Sequence, residues 1–493
     1  MSDLFSNNGL DRRSFIRGLG AAGGFCALGA PFRSVAATGQ AGKLELSFGV
    51  VSDVHGTDPS NRAYFKKALE WFRDEDADAV MSPGDFTVFS GEWEFEKFAS
   101  VWWDVFPDDR MPNGRKMIKL FLTGNHDVDG WTYYRGSGPE RRAAAQKSSF
   151  CFNREAFWRK FFHEEYAPVI VKEVKGYKFV LANWYARSGG ADEVNPLPGW
   201  MAEHASELPR NKPFFYAQHE LPRGGCNAPW AASGACDGGQ VEAAFKTYPN
   251  AVVFSGHSHY PLTDELSIRQ PSYTSINAGA TNAWPETYEG RENGNPGGCM
   301  PMIDRGMGRQ ALLVRVYKDQ IYIERRDLIH GEKVGPNWVF PVGSNAARPY
   351  SDETRKSSTE IPEFPKGTPV KVERAKLVIS PRKPSGPVTR EEGGPCLRVS
   401  FPSVNGLVAP NVRAFDYAVE PMLLMKDGSE VVGKVRYVFS DKCMLAPRRD
   451  PLAWCDFPVE DFDGVVKVRF RVSPRDCFQR MGKYVLSEVI PLV

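Results

Sequence analysis

Short apolar runs that stop at a glycine, aspartate, asparagine or histidine constrain this chain more than any other feature. The plainest is Ala251-Val252-Val253-Phe254-Ser255-Gly256-His257-Ser258-His259. It is long enough for one buried strand and closes on two histidines one residue apart. Side chains two apart on a strand share a face, so His257 and His259 are expected to project into one space. The same grammar recurs. Leu44–Val51 ends at Asp53-Val54-His55, Ala77–Met81 at Gly84-Asp85, and Met117–Leu122 at Gly124-Asn125-His126-Asp127. Lys178–Ala182 ends at Asn183-Trp184, and Pro213–Ala217 at Gln218-His219. Between the early runs, Arg62–Arg73 and Trp93–Val105 carry apolar residues at helical spacing. Strands alternating with helices predict an α/β domain. Such sheets bind ligands beyond the carboxyl ends of their strands, which is where each polar cluster falls.

A chain of 493 residues exceeds one ordinary core, so two domains are expected. With 42% hydrophobic and 12% aromatic residues it reads as folded, and a net charge of +2 points to no nucleic-acid or membrane-surface partner. Residues 1–37 have the order of a signal peptide: Arg12-Arg13 with Phe15-Ile16, a Gly/Ala-rich run, then small residues at Ser34–Ala37. They resemble a twin-arginine signal, a route that carries folded proteins, which implies a periplasmic or otherwise exported bacterial destination. No run reaches the ~18 apolar residues of a membrane span. Of eight cysteines beyond the signal, none forms a C-x-x-C pair. Cys226–Cys236 and Cys443–Cys455 are the expected bridges if any form, with buried free thiols as the alternative.

The first domain is expected over residues 43–341, closing on a hairpin of Leu312–Tyr317 and Gln320–Arg325. Residues 342–370 shift to Pro, Ser, Glu, Lys and Arg without apolar periodicity and read as a linker. Residues 371–493 show short alternating runs and a Lys426-Asp427-Gly428 turn, the pattern of a C-terminal β-sandwich.

Five of the chain's eight histidines lie in the strand-end clusters. Imidazole mixed with carboxylate suits zinc, iron, manganese or nickel rather than calcium or magnesium. Asp53, His55, Asp85, Asn125, His219, His257 and His259 exceed what one tetrahedral ion needs and suit two. His163 and His204 lack such a context and read as surface or packing residues.

This ordered set resembles the calcineurin-like metallophosphoesterase family, over about residues 44–340. The resemblance implies a sandwich of two β-sheets flanked by helices and two divalent or trivalent transition-metal ions, Mn, Fe, Zn or Ni. By matching position, Asp53, His55 and His259 would hold one ion and Asn125, His219 and His257 the other, with Asp85 bridging. His126 would serve as general acid or charge stabiliser, oriented by Asp127. A metal-bridging hydroxide would then hydrolyse a phosphodiester or phosphomonoester of a small molecule or lipid. A nucleotidase or lipid-headgroup hydrolase with the same site, and a non-catalytic envelope binding protein, are the rival readings. Arg187 and Arg223 are candidate phosphate contacts, and Trp131, Tyr133, Tyr134, Arg135, Trp230 and Trp284 candidate pocket residues. The sequence departs from purple acid phosphatases, which carry tyrosine where Val88 stands. It departs from Ser/Thr protein phosphatases at Val88-Phe89-Ser90 and Asp127, and is more similar to small-molecule phosphodiesterases and related phosphatases.

Overall fold

Strands whose successive residues face opposite layers can only be buried between two coverings, and the first part of the chain supplies both. In chain order its strands are β1 (Leu44–Val50), β2 (Ala79–Pro83), β3 (Ile118–Leu122), β4 (Val169–Val174), β5 (Tyr177–Ala182) and β6 (Phe214–Ala217). Then follow β7 (Ala251–Ser255), β8 (Ile268–Arg269), β9 (Thr274–Asn277), β10 (Gln310–Tyr317), β11 (Gln320–Asp327), β12 (Glu332–Lys333) and β13 (Trp338–Pro341). The computed structural model describes residues 42–133, 153–185, 195–226, 236–260, 262, 264–282, 309–343, 346–358, 360–379, 391–404, 414–439 and 452–492. The expected signal segment 1–37 lies outside them, as does Cys443.

One sheet has the order β12-β11-β10-β1-β2-β3, with β13 also paired to β11. The other runs β4-β5-β6-β7-β9-β8. β1, β2 and β3 are parallel to one another, as are β5, β6, β7 and β9. The expected hairpin forms, with Val316 opposite Ile321. Each central strand divides its residues between layers. Phe48, Met81, Phe215 and Phe254 enter the core between the sheets, whereas Val80, Tyr216 and Val253 face outward.

The outer faces are covered by helices whose apolar stripes match them. α1 (Pro59–Asp74) starts after Asp58, whose carboxylate accepts the Ser60 N–H, and with proline at its first position. It packs through Phe65, Leu69 and Phe72 beside Phe95, Phe98 and Trp102 of α2 (Glu92–Val105) and Phe157–Phe162 of the helix Arg154–Phe162. The helices Pro196–His204 and Gln240–Phe245 cover the second sheet with Leu197, Val241 and Phe245. Between the sheets, Phe48 meets Phe179, Phe215 and Phe254 edge-on, with ring centroids 5.3, 4.9 and 5.8 Å away. One ring from β1 therefore touches three successive strands opposite. Among the described residues, no helix is long and apolar enough to cross a membrane.

The C-terminal region is all-β. Lys371–Ile379, Glu391–Pro402 and Leu452–Pro458 make an antiparallel three-stranded sheet. Asp416–Met425 and Val465–Arg475 centre a second, six-stranded one. Both contribute to one apolar cluster, including Val399, Phe401, Tyr417, Val419, Phe457 and Phe470. The expected turn places Met422 opposite Val432.

Residues 342–370 are more than a connection. Asp352–Ser358 is a helix whose Arg355 is 1% exposed and donates to the Glu265 carboxylate at 3.1 Å and the Ile268 carbonyl at 3.1 Å. This segment is anchored by a buried cation instead of an apolar face, so hydrophobic periodicity could not reveal it. Cys226 and Cys236 are free thiols within one buried cluster with Leu221, so the structure takes the unbridged alternative.

Replacing Phe48 with alanine removes the ring shared by the two sheets. It is expected to cost about 3–5 kcal/mol of unfolding free energy in a denaturant titration.

Candidate metal centre

The candidate ligands come from the carboxyl ends of both sheets. Asp53 and His55 follow β1, Asp85 follows β2, and Asn125 opens the short helix α3 (Asn125–Val128) after β3. His219 follows β6, and His257 and His259 follow β7. The loops carrying them are strained. Asp53, His55, Asp85, His257 and His259 have φ of 51°, 44°, 56°, 67° and 52°. Left-handed backbone is unfavourable for residues with a Cβ, about 1–3 kcal/mol each, and persists where surroundings enforce it. Here the enforcing contacts are backbone hydrogen bonds between loops: Asp53 N–H to Gly84, His55 N–H to Asp85 and Gly256 N–H to His219 carbonyls. β7 ends at Ser255, so strand alternation does not aim the two histidines as expected; two left-handed turns do.

Two groups of donor atoms result, each set lying within 4.8 Å: Asp53, His55, Asp85 and His259, and then Asp85, His219 and His257. Asp85 belongs to both. Its Oδ2 lies 3.5 Å from His55 Nε2 and 3.2 Å from His219 Nε2, while Oδ1 accepts the His126 N–H at 2.9 Å. His259 Nε2 is 3.0 Å from Asp53 Oδ1 and 3.3 Å from His55 Nε2. His219 Nε2 is 3.2 Å from His257 Nδ1 and 3.0 Å from Asn125 Oδ1. His257 and His259 thus go to different groups, with Asn125 beside the second. His219 Nδ1 donates to the Pro83 carbonyl at 2.6 Å, leaving Nε2 as the nitrogen directed at the centre. Gln218 before it is occupied with Tyr216 Oη and the Glu220 carbonyl.

The donor set fits cations. The ion-pair partners of Asp53 and Asp85 among the described residues are histidines alone. Burial would raise both carboxyls, but His259 and His219 hold Asp53 below its ordinary range and His219 and His126 hold Asp85 well below it. Burial would lower His219, yet the Asp85 and Asp53 carboxylates lift it to about 10. Burial, then the neighbouring histidines, depresses His55 and His257 to about 3. Imidazole nitrogens therefore face one another around two carboxylates, an arrangement that positive charge between them relieves. Glycines permit the crowding. A Cβ on Gly124 would lie 2.2 Å from Asp85 Oδ1, and one on Gly84, at φ 91°, 2.5 Å from Gly124 N.

His126 stands edge-on to His55, ring centroids 4.7 Å apart, and is half-buried. Its Nδ1 lies 2.8 Å from the Val88 carbonyl, which assigns the proton there. Asp127 was expected to orient this ring. Its carboxylate instead accepts from Gly124 N–H and from the amide and hydroxyl of Thr87, bracing the loops. Burial and then the Asp85 charge push Asp127 up to about 7.

Other expected residues fall elsewhere. Arg187, Tyr134, Arg135, Trp230 and Trp284 lie outside the described residues, as does the side chain of Tyr133. Trp131 is half-buried in the short helix Gly130–Tyr133. Arg223 is exposed, and its backbone N–H donates to Asp237. His163, exposed, stacks on Trp103, and His204 stacks on Trp200; both read from the sequence as surface or packing residues. Trp184 was noted only as a strand end. Its ring lies 6.0 and 6.1 Å from those of His219 and His257, and its Nε1–H donates to Asp129 at 2.9 Å. Its place directly after β5, in a sheet whose other ends carry ligands, was the available signal.

The family match and the clustered donor atoms support a metal-dependent phosphoester hydrolase. Residues 46–261 match the family model for calcineurin-like phosphoesterase, and the chain carries such a domain. Among solved structures it is similar to a dimetal phosphatase from Danio rerio, at 11% identity over 60% of this chain and 99% of that one, TM-score 0.35. It is also similar to a purple acid phosphatase from yellow lupin (Lupinus luteus) seeds, at 14% identity over 60% of this chain and 53% of that one, TM-score 0.35. A third is GAP50, the anchor in the inner membrane complex of Plasmodium, at 13% identity over 64% and 93%, TM-score 0.35. No curated protein matches the chain.

Asp85→Asn is expected to lower metal content at both positions, because its carboxylate belongs to both groups. His257→Ala should remove about one ion per chain. Elemental analysis of purified protein distinguishes the two outcomes.

Proposed function

We propose that the protein is an exported phosphoesterase that hydrolyses phosphodiesters or phosphomonoesters of small molecules or lipids. The observation that carries this reading is Asp85 shared by two donor groups beside a histidine outside both. Asp53, His55, His259 and Asp85 would hold one transition-metal ion, and Asn125, His219, His257 and Asp85 the other. Bound there, two such cations acidify a water and withdraw charge from phosphoryl oxygens.

The remaining work falls to side chains. Left-handed turns at five ligand residues hold the donors in place before substrate arrives. Neutral Asn125 limits the negative charge that an anionic ester meets. His126, with Nδ1–H committed to Val88, takes a second proton at Nε2 and delivers it to the departing alkoxide. Export is supported by the Arg12-Arg13 stretch and the small residues at 34–37. The division into a phosphoesterase domain over 43–341 and a β-sandwich over 371–493 is supported by the separate C-terminal apolar cluster.

The test is a panel of phosphomonoesters and phosphodiesters with metal-reconstituted protein. His126→Ala is expected to keep its metals and lose about 10²–10⁴-fold in kcat. A chelated sample should lose turnover and melt at lower temperature, since ions that bind only the folded state stabilise it by about 2.7 kcal/mol at a hundredfold excess over Kd. Protein that binds two ions yet turns over no ester in the panel would favour the non-catalytic rival.

A further inference from the structure

We propose that Glu94 is a positioning residue for His126, acting through the backbone of residues 87–91. This rests on the reading of His126 as the proton donor to the leaving group. Glu94 lies in the first turn of α2 and is 0% exposed. Its carboxylate accepts the N–H groups of Val88 at 3.0 Å, Phe89 at 2.9 Å and Gly91 at 3.0 Å, and the hydroxyl of Thr57. A helix capping box needs only the Gly91 contact. The other three donors come from the loop that follows Asp85 and from the residue two beyond His55. A charge buried this deeply is tolerated because four donors surround it.

What those donors fix is a mould around His126. The Val88 peptide gives its N–H to Glu94 and its carbonyl to His126 Nδ1. In the same loop, the Ser90 hydroxyl donates to the His126 carbonyl at 3.0 Å, and Thr87 Oγ1, whose one proton is shared with the Asp127 carboxylate, lies 2.9 Å from the same oxygen. The loop has little room to re-form. Ser90 is held at φ 59°, and a Cβ on Gly130 would lie 2.6 Å from the Val88 carbonyl oxygen. Without the carboxylate, three amides lose their acceptor and turn toward water, and the Val88 carbonyl turns with them. The imidazole then loses the group that sets its tautomer and its plane.

Glu94→Gln in the full-length, zinc-loaded protein tests this, because the amide keeps the volume but sets an NH2 against several N–H donors. Three readouts are needed: metal content, the histidine ring ¹⁵N signals, and kcat and KM on two esters differing only in leaving group, one nitrophenyl and one alkyl. Expected are unchanged metal content, KM within about twofold, and loss of the Nδ1–H signature of His126. The alkyl ester should lose about tenfold or more in kcat and the nitrophenyl ester far less, with no further loss when Glu94→Gln is added to His126→Ala. If Glu94→Gln fails to fold, Glu94→Asp, which draws the oxygens back by one methylene, carries the same expectation at smaller amplitude. A wild-type ¹⁵N pattern and leaving-group dependence in the variant would overturn the proposal, provided His126→Ala itself discriminates the esters. Should His126→Ala not discriminate them, the proton-donor reading fails and this proposal falls with it.

Discussion

The structure depends on one carboxylate being reached from two sheets. Asp85 follows a strand of the first sheet, yet its Oδ2 stands between His55, which follows another strand of that sheet, and His219, which follows a strand of the other. Such a contact survives only if the sheets neither slide nor splay. The edge-on cluster of Phe48 with Phe179, Phe215 and Phe254 prevents both, because a shift of β1 would break contacts with three strands. Dispersion and apolar burial at the centre thus set an electrostatic geometry at the rim.

The rim is built against local preference. Five of the candidate ligand residues adopt left-handed backbone, and Gly84 and Gly124 approach to where any Cβ would collide. Inter-loop hydrogen bonds offset that strain, so the site is a property of several loops at once. Asp127 illustrates this. Its two oxygens join the Asn125 turn to the Asp85 loop, and it contributes by holding ligand loops together.

The candidate metal-ligand cluster was legible because a strand end is a position that sequence marks twice, by the apolar run before it and the glycine beside it. The six principal strands of the two sheets were visible for the same reason. Three features were not. Glu94 sits in an amphipathic helix, where a glutamate in the first turn is ordinary, and only the convergence of four donors sets it apart. Trp184 reads as an apolar residue until its neighbours across the sheet are known. Arg355 lies in a stretch of polar composition that reads as linker, since burial of a cation against Glu265 depends on a partner 90 residues away. Aiming His257 and His259 by strand alternation reached the right pocket through the wrong geometry, because alternation stops with the strand at Ser255.

The helix Asp352–Ser358 also couples the two halves of the chain. Arg355 is buried against Glu265, beside the edge strand β8, and lies near the ring of Phe478 of the C-terminal region. Arg480 of that region donates to the Lys356 carbonyl at 2.9 Å. Separating the C-terminal sheets would strip the Phe478 ring and the Arg480 hydrogen bond from this helix and loosen the surroundings of the buried Arg355–Glu265 pair. The C-terminal sheets are thereby tied through one short helix to the edge of the second sheet, the sheet whose strand ends carry His219, His257 and His259.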